Sequence, residues 1–146
     1  MSLRRTQIVA RHDISITDID YLENRLYDHN RVAVGRDDGL TLAFVALDPD
    51  GVQVGAIAGY SWASMAGIRQ LWVTKTHRGQ GLGKALLEAF ITEAIKRQCL
   101  LIWVASYNFQ APGLYERCGF ERVAELADWP PGHVNVILRR HLKIAE

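Results

Sequence analysis

The chain has 146 residues, of which 49% are hydrophobic and 23% charged, and its formal net charge is +1 at pH 7. This size and composition predict one folded domain over residues 1–146. No apolar stretch approaches the roughly 18 residues that a membrane span needs, and the start lacks the apolar region of a secretory signal, so we expect a cytoplasmic protein without a membrane partner. The balanced charge argues against a nucleic-acid partner.

In the first part of the chain, the hydrophobic pattern predicts a strand followed by a helix. The strand covers residues 5–11. The helix covers residues 17–34, with Thr17 as its N-cap, because apolar side chains recur there at helical spacing. Gly35 is expected to end the helix, since glycine readily adopts the left-handed conformation found after helix ends.

A hairpin is predicted next. Apolar runs at residues 40–47 and 52–62 flank the sequence Asp48-Pro49-Asp50-Gly51. Proline and glycine suit a tight turn, so the two runs should pair as antiparallel strands. A further strand at residues 68–74 follows and leads into a glycine-rich segment.

The second half predicts a long helix and then a mixture of short elements. Leu82, Leu86 and Phe90 recur at helical spacing, which makes a helix from Leu82 onward the firmest prediction of the sequence. The later elements are a strand at residues 100–106, a short helix at 111–117, and strands at 121–126 and 133–142. Trp72 and Trp103 alternate with aliphatic neighbours and are expected in the core. The series indicates an α+β fold with a mostly antiparallel sheet and helices on both faces.

Three alternating glycines join a predicted strand to the long helix. Gly79, Gly81 and Gly83 remove side chains where the backbone must turn, and the helix start directs free N–H groups and a positive dipole end outward. Four basic residues accompany them, namely Lys75, His77, Arg78 and Lys84. The stretch from Thr74 to Leu87 contains no acid, although a bare helix start prefers one in its first turn. The segment is therefore predicted to bind a phosphate or diphosphate.

Two common phosphate loops do not fit this segment. A Walker loop requires Gly and Ser or Thr where this chain has Arg78 and Ala85. A dinucleotide fingerprint counted from Gly79 requires a third glycine where Lys84 stands, and an acid that the region around Trp103 lacks. A glycine-rich turn that only caps the helix stays open as an alternative.

The sequence Arg78-Gly79-Gln80-Gly81-Leu82-Gly83 resembles the pyrophosphate loop Q/R-x-x-G-x-G/A of the GNAT superfamily of N-acetyltransferases, which bind acetyl-coenzyme A (acetyl-CoA). Downstream, the segment from Asn108 to Phe120 resembles the N-x-x-A-x-x-L-Y-x-x-x-G-F signature of the same family. The two motifs stand in the family's order, one predicted helix and one predicted strand apart. The resemblance covers roughly residues 55–126.

This resemblance implies a three-layer α/β/α arrangement of the α+β class. The mixed sheet would be splayed between two central parallel strands, residues 68–74 and 100–106, with acetyl-CoA in the gap. Its pantetheine arm would pair with backbone groups of Leu71, Trp72 and Val73 as an added strand does. The diphosphate would be held by the amides and cations of Arg78, Gly79, Gln80, Gly81, Leu82, Gly83 and Lys84. Asn108 would hydrogen-bond the arm, or else serve only as a turn residue.

The implied activity is direct transfer of the acetyl group to a primary amine of a small molecule or protein. This reaction needs a neutral amine, an N–H group such as that of Val73 to stabilise the oxyanion, and a proton for the leaving thiolate. By resemblance Tyr115 is the catalytic proton donor, the alternative being that its ring only packs on the sheet. Cys99 and Cys118 lack metal-ligand spacing, so no metal is expected.

The general base is not evident in the sequence. Many family members carry an acid on the strand before the loop, whereas residues 66–70 contain none. By family topology, two segments should border the acceptor channel, and their candidates for substrate binding are Tyr21, Glu23, Tyr27, Trp129 and His133. Asp28, His29 and Asp128 are further candidates for a base, with an ordered water carrying the proton. The missing acid leaves a CoA-binding regulatory module without turnover as the alternative function. A homodimer through residues 134–142 is also expected from the family.

Overall fold

The computed structural model describes residues 6–143, which fall into two compact units that divide between Arg36 and Asp37. The first unit contains helix α1, Ile16–Val34. Ser15 caps it reciprocally: the hydroxyl of Ser15 accepts from the amide of Asp18 at 3.2 Å, and the Asp18 carboxylate accepts from the amide of Ser15 at 3.1 Å. Gly35 ends it with φ 74°.

These features confirm the predicted helix and correct two details in the first unit. The N-cap is Ser15 rather than Thr17, because Ser15 and Asp18 form a reciprocal capping box and the helix already begins at Ile16. The predicted first strand is wrong, since residues 6–11 adopt no regular secondary structure, and residue 5 lies outside the described range. Its apolar run is only three residues long, which is too short to give a strand a buried face.

The second unit is a six-stranded sheet with two helices. Its strands are β1 Leu40–Leu47, β2 Gln53–Trp62, β3 Met65–Val73, β4 Leu101–Tyr107, β5 Glu121–Ala127 and β6 Val134–His141. Helix α2 is Leu82–Lys96, helix α3 is Pro112–Arg117, and a single 3-10 turn covers Lys75–His77. The strand order is β1-β2-β3-β4-β6-β5. Only β3 and β4 pair in parallel among the described strands, which confirms the mixed, mostly antiparallel sheet of the predicted α+β class.

Helices α2 and α3 share one buried cluster with the strands. α2 packs against β1, β2 and β3, and its buried side chains are Leu86, Leu87, Phe90, Ile91 and Ala94. α3 packs against β5 and β6 and contributes Tyr115 to the same cluster. No helix in the described part of the chain has both the length and the apolar character needed to cross a membrane.

The two tryptophans predicted to be in the core are not buried. Trp72 is 62% exposed and Trp103 is 38% exposed. In β4 the buried positions are Ile102, Val104 and Ser106, so the strand's alternation turns Trp103 to the opposite face. Its Nε1 donates to the hydroxyl of Tyr60 at 3.1 Å, which gives the indole N–H a partner outside the core.

Strands β2 and β3 approach each other closely at two glycines. A Cβ placed on Gly59 would overlap the carbonyl oxygen of Gly67 and would lie 3.1 Å from the Cα of Ile68. Both are backbone atoms of a paired strand, which cannot move without breaking the register. Gly59 is therefore required by its surroundings rather than by its own conformation.

We expect Gly59→Ala to lower the free energy of unfolding by about 3 kcal/mol or more, as overpacking against backbone does. Urea denaturation would measure the loss. Gly113→Ala is the matched control, because a Cβ there meets only the guanidinium end of Arg117, at 3.2 Å. Equal stability of the two variants would contradict the close approach.

Candidate functional site

A cleft opens where the two parallel strands separate. β3 and β4 pair only from Met65 to Ile68 and from Leu101 to Val104, although both strands continue beyond these residues. A cavity of about 710 Å³ lies at this separation and is lined by the ends of β3 and β4 together with Arg78, Gly83 and Tyr115. Its volume is that of a typical small-molecule site. The splayed pair predicted from the sequence is therefore present.

The open edge of β3 offers backbone groups to this cleft. The amide of Thr74 donates to the carbonyl of Val54 in β2 at 2.8 Å, and the strand register pairs Val73 with Gly55 of β2. Backbone groups alternate in direction along a strand, so Leu71 and Val73 direct theirs away from β2, and Trp72 directs its groups toward β2. A ligand in the cleft can thus pair with Leu71 and Val73 as a strand would.

The glycine loop leaves the start of α2 without a side-chain cap. Gly79 and Gly81 have φ 76° and 82°, values that side-chain-bearing residues rarely adopt, and a Cβ on either would meet nothing within 4 Å. Gly81 is the N-cap of α2, with no capping hydrogen bond and no acid in the first turn. The first-turn N–H groups and the positive dipole end are consequently available to an anion.

Arg78 is anchored at the same end of the cleft. Its Nε donates to the Val73 carbonyl at 3.0 Å, and its guanidinium lies 4.5 Å from the centroid of the Trp72 ring. The exposed Trp72 ring therefore forms a cation–π contact with Arg78. Lys84, the other loop cation, is exposed and lies 3.8 Å from the Glu88 carboxylate. Both cations border the helix start where a diphosphate was predicted.

Asn108 connects the end of β4 to the start of β6. Its amide donates to the Val134 carbonyl at 2.9 Å, and its Oδ1 accepts from the Val134 amide at 3.1 Å. The cleft is lined by the following residues, Phe109 and Gln110, rather than by Asn108. The two bonds connect Asn108 to the start of β6, and its predicted hydrogen bond to the pantetheine arm stays a prediction.

Tyr115 lies at the wall of the cleft with its ring in the core. Its side chain is 6% exposed, and the ring packs edge-to-face on Phe120 with centroids 5.6 Å apart. Burial raises the pKa of the Tyr115 phenol to about 12. Within residues 6–143 the hydroxyl has no hydrogen-bond partner, so it is available to a group in the cleft.

Comparison with known proteins identifies the family of this chain. The family model of the GNAT acetyltransferases matches residues 9–120. The chain belongs to this family. It is 34% identical over 95 residues to the blasticidin-S acetyltransferase of Streptomyces morookaense, covering 63% of this chain and 68% of that protein.

Solved structures of GNAT proteins share the fold. An acetyltransferase from Bacillus cereus superposes with a TM-score of 0.76 at 24% identity, over 93% of this chain and 98% of that one. A Bacillus anthracis protein crystallised in complex with acetyl-CoA gives a TM-score of 0.62 at 23% identity, over 70% of this chain and 63% of that one. GNAT members use acetyl-CoA, so the protein is an acyltransferase by family.

Within residues 6–143, the side chains that line the cleft of this GNAT protein include no carboxylate. Among the described residues that line it, the charged side chains are Arg69 and Arg78. Nor do the described residues include a group of three or more His, Cys, Asp or Glu side chains able to hold a metal ion. The described lining residues therefore offer no carboxylate as a base, and the identity of the base stays a prediction.

A second cavity, which we call the aromatic pocket, lies beside the cleft. It has a volume of about 490 Å³ and is lined by Tyr107, Phe109, Asp128, Trp129, Pro130 and Pro131. Phe109 lines both cavities, and His133 packs edge-to-face on it with centroids 5.0 Å apart. Two of the predicted substrate residues, Trp129 and His133, thus come together next to the cleft.

The other predicted substrate residues lie on α1. Tyr21, Glu23 and Tyr27 belong to the first unit, as do the candidate bases Asp28 and His29, and their role at the acceptor channel stays a prediction. Sequence reasoning also missed two residues of the aromatic pocket, Tyr107 and Phe109. Their signal was an aromatic pair spaced two apart at the end of β4, on either side of the family asparagine.

Proposed function

We propose that this GNAT protein transfers the acetyl group of acetyl-CoA directly to a primary amine of a small molecule. The observation that carries the proposal is the cleft between β3 and β4, which is bordered by an uncapped helix start, an open strand edge and the hydroxyl of the buried residue Tyr115. Each feature matches one part of the cosubstrate or one step of its chemistry. The blasticidin-S relative favours a small molecule over a protein as acceptor.

The cosubstrate would be held by charge at one end and by backbone pairing along its arm. The diphosphate would accept from the first-turn N–H groups of α2 and from Arg78 and Lys84. The arm would pair with the outward-facing backbone groups of Leu71 and Val73. The N–H group of Val73 would also stabilise the thioester oxygen as negative charge develops on it.

The amine must lose a proton to attack, because its ordinary pKa of about 10 keeps it charged at neutral pH. The described cleft residues supply no carboxylate for this step. We assign the proton to an ordered water, with His133, which packs on Phe109 beside the cleft, as its destination. The amine nitrogen then bonds to the acetyl carbon, and the carbon–sulfur bond breaks to release the thiolate of coenzyme A.

Tyr115 would stabilise the leaving thiolate by hydrogen bonding. With its pKa raised to about 12, the phenol stays protonated at neutral pH. A thiol has a pKa of about 8.5, so complete proton transfer from the phenol would be uphill by roughly 5 kcal/mol. Donation of a hydrogen bond as charge forms on the sulfur requires no such transfer, and solvent can complete the protonation.

Release of free thiol tests the proposal. Purified protein is incubated with acetyl-CoA and a panel of primary amines, and coenzyme A is followed with a thiol reagent, with product mass as confirmation. We expect release that saturates with the amine and exceeds hydrolysis of acetyl-CoA alone. Saturable acetyl-CoA binding without release would favour the regulatory module instead, for which the missing carboxylate is the supporting observation.

Four further expectations stay predictions. They are a single domain over residues 1–146, a cytoplasmic location, a homodimer through residues 134–142, and the absence of a nucleic-acid partner. Gel filtration with light scattering would test the dimer directly.

A further inference from the structure

We propose that the aromatic pocket selects acceptors that carry a flat, positively charged ring, and that it holds this ring while the amine reaches the cleft. The inference rests on the proposed function and names the substrate class of the same site. It is carried by the shape of the pocket walls, the fixed position of its loop, its single charge and its connection to the cleft.

The walls of the pocket are flat and apolar. The rings of Tyr107 and Phe109 are nearly parallel, with an interplanar angle of 10° and centroids 5.1 Å apart. Trp129, which is 59% exposed, and two prolines complete the lining. Aromatic faces attract planar groups and bind cations through their electron-rich surfaces. A saturated chain would gain less from such walls.

Hydrogen bonds hold the pocket in place. The Asp128 carboxylate accepts from the Gly132 amide at 3.3 Å, and the His133 amide donates to the Pro130 carbonyl at 2.9 Å, which closes the loop between β5 and β6. On the other side, the amide of Tyr107 donates to the Gln110 side chain at 2.7 Å. A preformed pocket loses little entropy when a rigid ligand enters it.

The charge of the pocket favours a cation. Asp128 is the only charged side chain among the described residues that line it. A carboxylate among aromatic faces attracts positive charge and repels phosphate- or carboxylate-bearing acceptors. A planar cation such as an amidinium or a protonated heterocycle satisfies the walls and the carboxylate together.

Phe109 connects this pocket to the reaction. Because Phe109 borders both the aromatic pocket and the cleft, a ligand whose ring lies in the pocket can extend an amine past Phe109 toward the splayed strands. The acceptor therefore needs its primary amine on a short arm, at the end of the molecule opposite to the cationic group.

Three small probes separate the contribution of a flat ring to binding from that of a positive charge. 4-(Aminomethyl)benzamidine is flat and cationic and carries a primary amine. 4-(Aminomethyl)benzamide keeps the ring and the amine but has a neutral amide, and trans-4-(aminomethyl)cyclohexanecarboxamidine keeps the charge but has no flat ring. We expect the benzamidine to bind about tenfold more tightly than either of the others, measured by calorimetry on the full chain with coenzyme A present. The same ratio is expected in kcat/KM for thiol release.

Two variants should separate the two preferences. Trp129→Leu removes an aromatic wall, and we expect it to lower the preference for the flat ring to roughly threefold or less while leaving the affinity for coenzyme A unchanged. Asp128→Asn should remove the preference for the cation and keep that for the ring. Asparagine can still accept from Gly132 and tolerates the φ of 56° found there. Trp62→Leu, which removes an indole outside both cavities, is the matched control.

These experiments distinguish failure of the pocket assignment from failure of the proposed acetyl transfer. Equal affinity of the wild type for the three probes, or preferences that persist in both variants, would overturn the pocket assignment even if amines are acetylated. The pocket assignment is supported if the wild type prefers the benzamidine, Trp129→Leu loses the preference for the flat ring, and Asp128→Asn loses the preference for the cation. If these binding results are obtained but no amine causes thiol release, the proposed acetyl transfer is contradicted and the pocket assignment stands.

Discussion

Replacing Gly81 with Asp should abolish acetyl-CoA binding at ordinary concentrations and leave the protein folded. Gly81 is the N-cap of α2, where a Cβ would point into open space and no side chain occupies the helix start. A carboxylate there would face the diphosphate at close range. Repulsion between unit charges about 4 Å apart near a protein surface is worth several kcal/mol, so we expect at least a roughly 100-fold rise in Kd.

Gly81→Asn is the matched control for this variant. Asparagine and aspartate have the same shape and tolerate positive φ similarly, so both share the strain imposed by the φ of 82°. Only aspartate adds charge. Calorimetry with acetyl-CoA should therefore show a small loss for Gly81→Asn and a much larger one for Gly81→Asp, and the difference should shrink at high salt.

Thermal unfolding of the Gly81 variants distinguishes lost binding from lost folding. An acid at a helix start interacts favourably with the dipole, which offsets part of the backbone strain. Without ligand, Gly81→Asp should therefore be at least as stable as Gly81→Asn. Undiminished acetyl-CoA affinity in a folded Gly81→Asp protein would show that the glycine loop only caps the helix.

The sequence predicted those parts of the site that depend on local backbone chemistry. Gly79 and Gly81 indicated a sharp turn of the backbone, and both have positive φ. The lack of an acid between Thr74 and Leu87 indicated an open helix start, which is present at α2. Local patterns were sufficient here because a turn and a helix start are determined by a few neighbouring residues.

Features that depend on distant neighbours were predicted less well. Trp72 and Trp103 suit a buried strand by composition, and only the strand register shows that their positions face away from the core. The bonds of Asn108 with Val134 join residues far apart in the chain. The aromatic pocket likewise combines the end of β4 with the loop before β6, so no single segment carried its signature.

Replacing Tyr115 with Phe should lower kcat by roughly 100-fold and change the Kd of acetyl-CoA by less than about twofold. The phenol is the one group among the described cleft residues that combines a buried ring with an unpartnered hydroxyl. Phenylalanine preserves the ring and its contact with Phe120, so folding should be retained. Tyr60→Phe is the control, because it removes a hydroxyl that bonds Trp103 outside the cleft.

The pH dependence of stability gives an independent check on the same hydroxyl. An unfolded tyrosine ionises near pH 10, and the folded Tyr115 has its pKa raised to about 12. Below pH 10 both states are protonated, so ionisation does not alter stability there. Between pH 10 and 12 only the unfolded state loses its proton, and the wild type should lose about 2 to 3 kcal/mol relative to Tyr115→Phe. Parallel alkaline unfolding curves would show that the hydroxyl is solvated rather than buried, and unchanged turnover in the variant would remove it from the reaction.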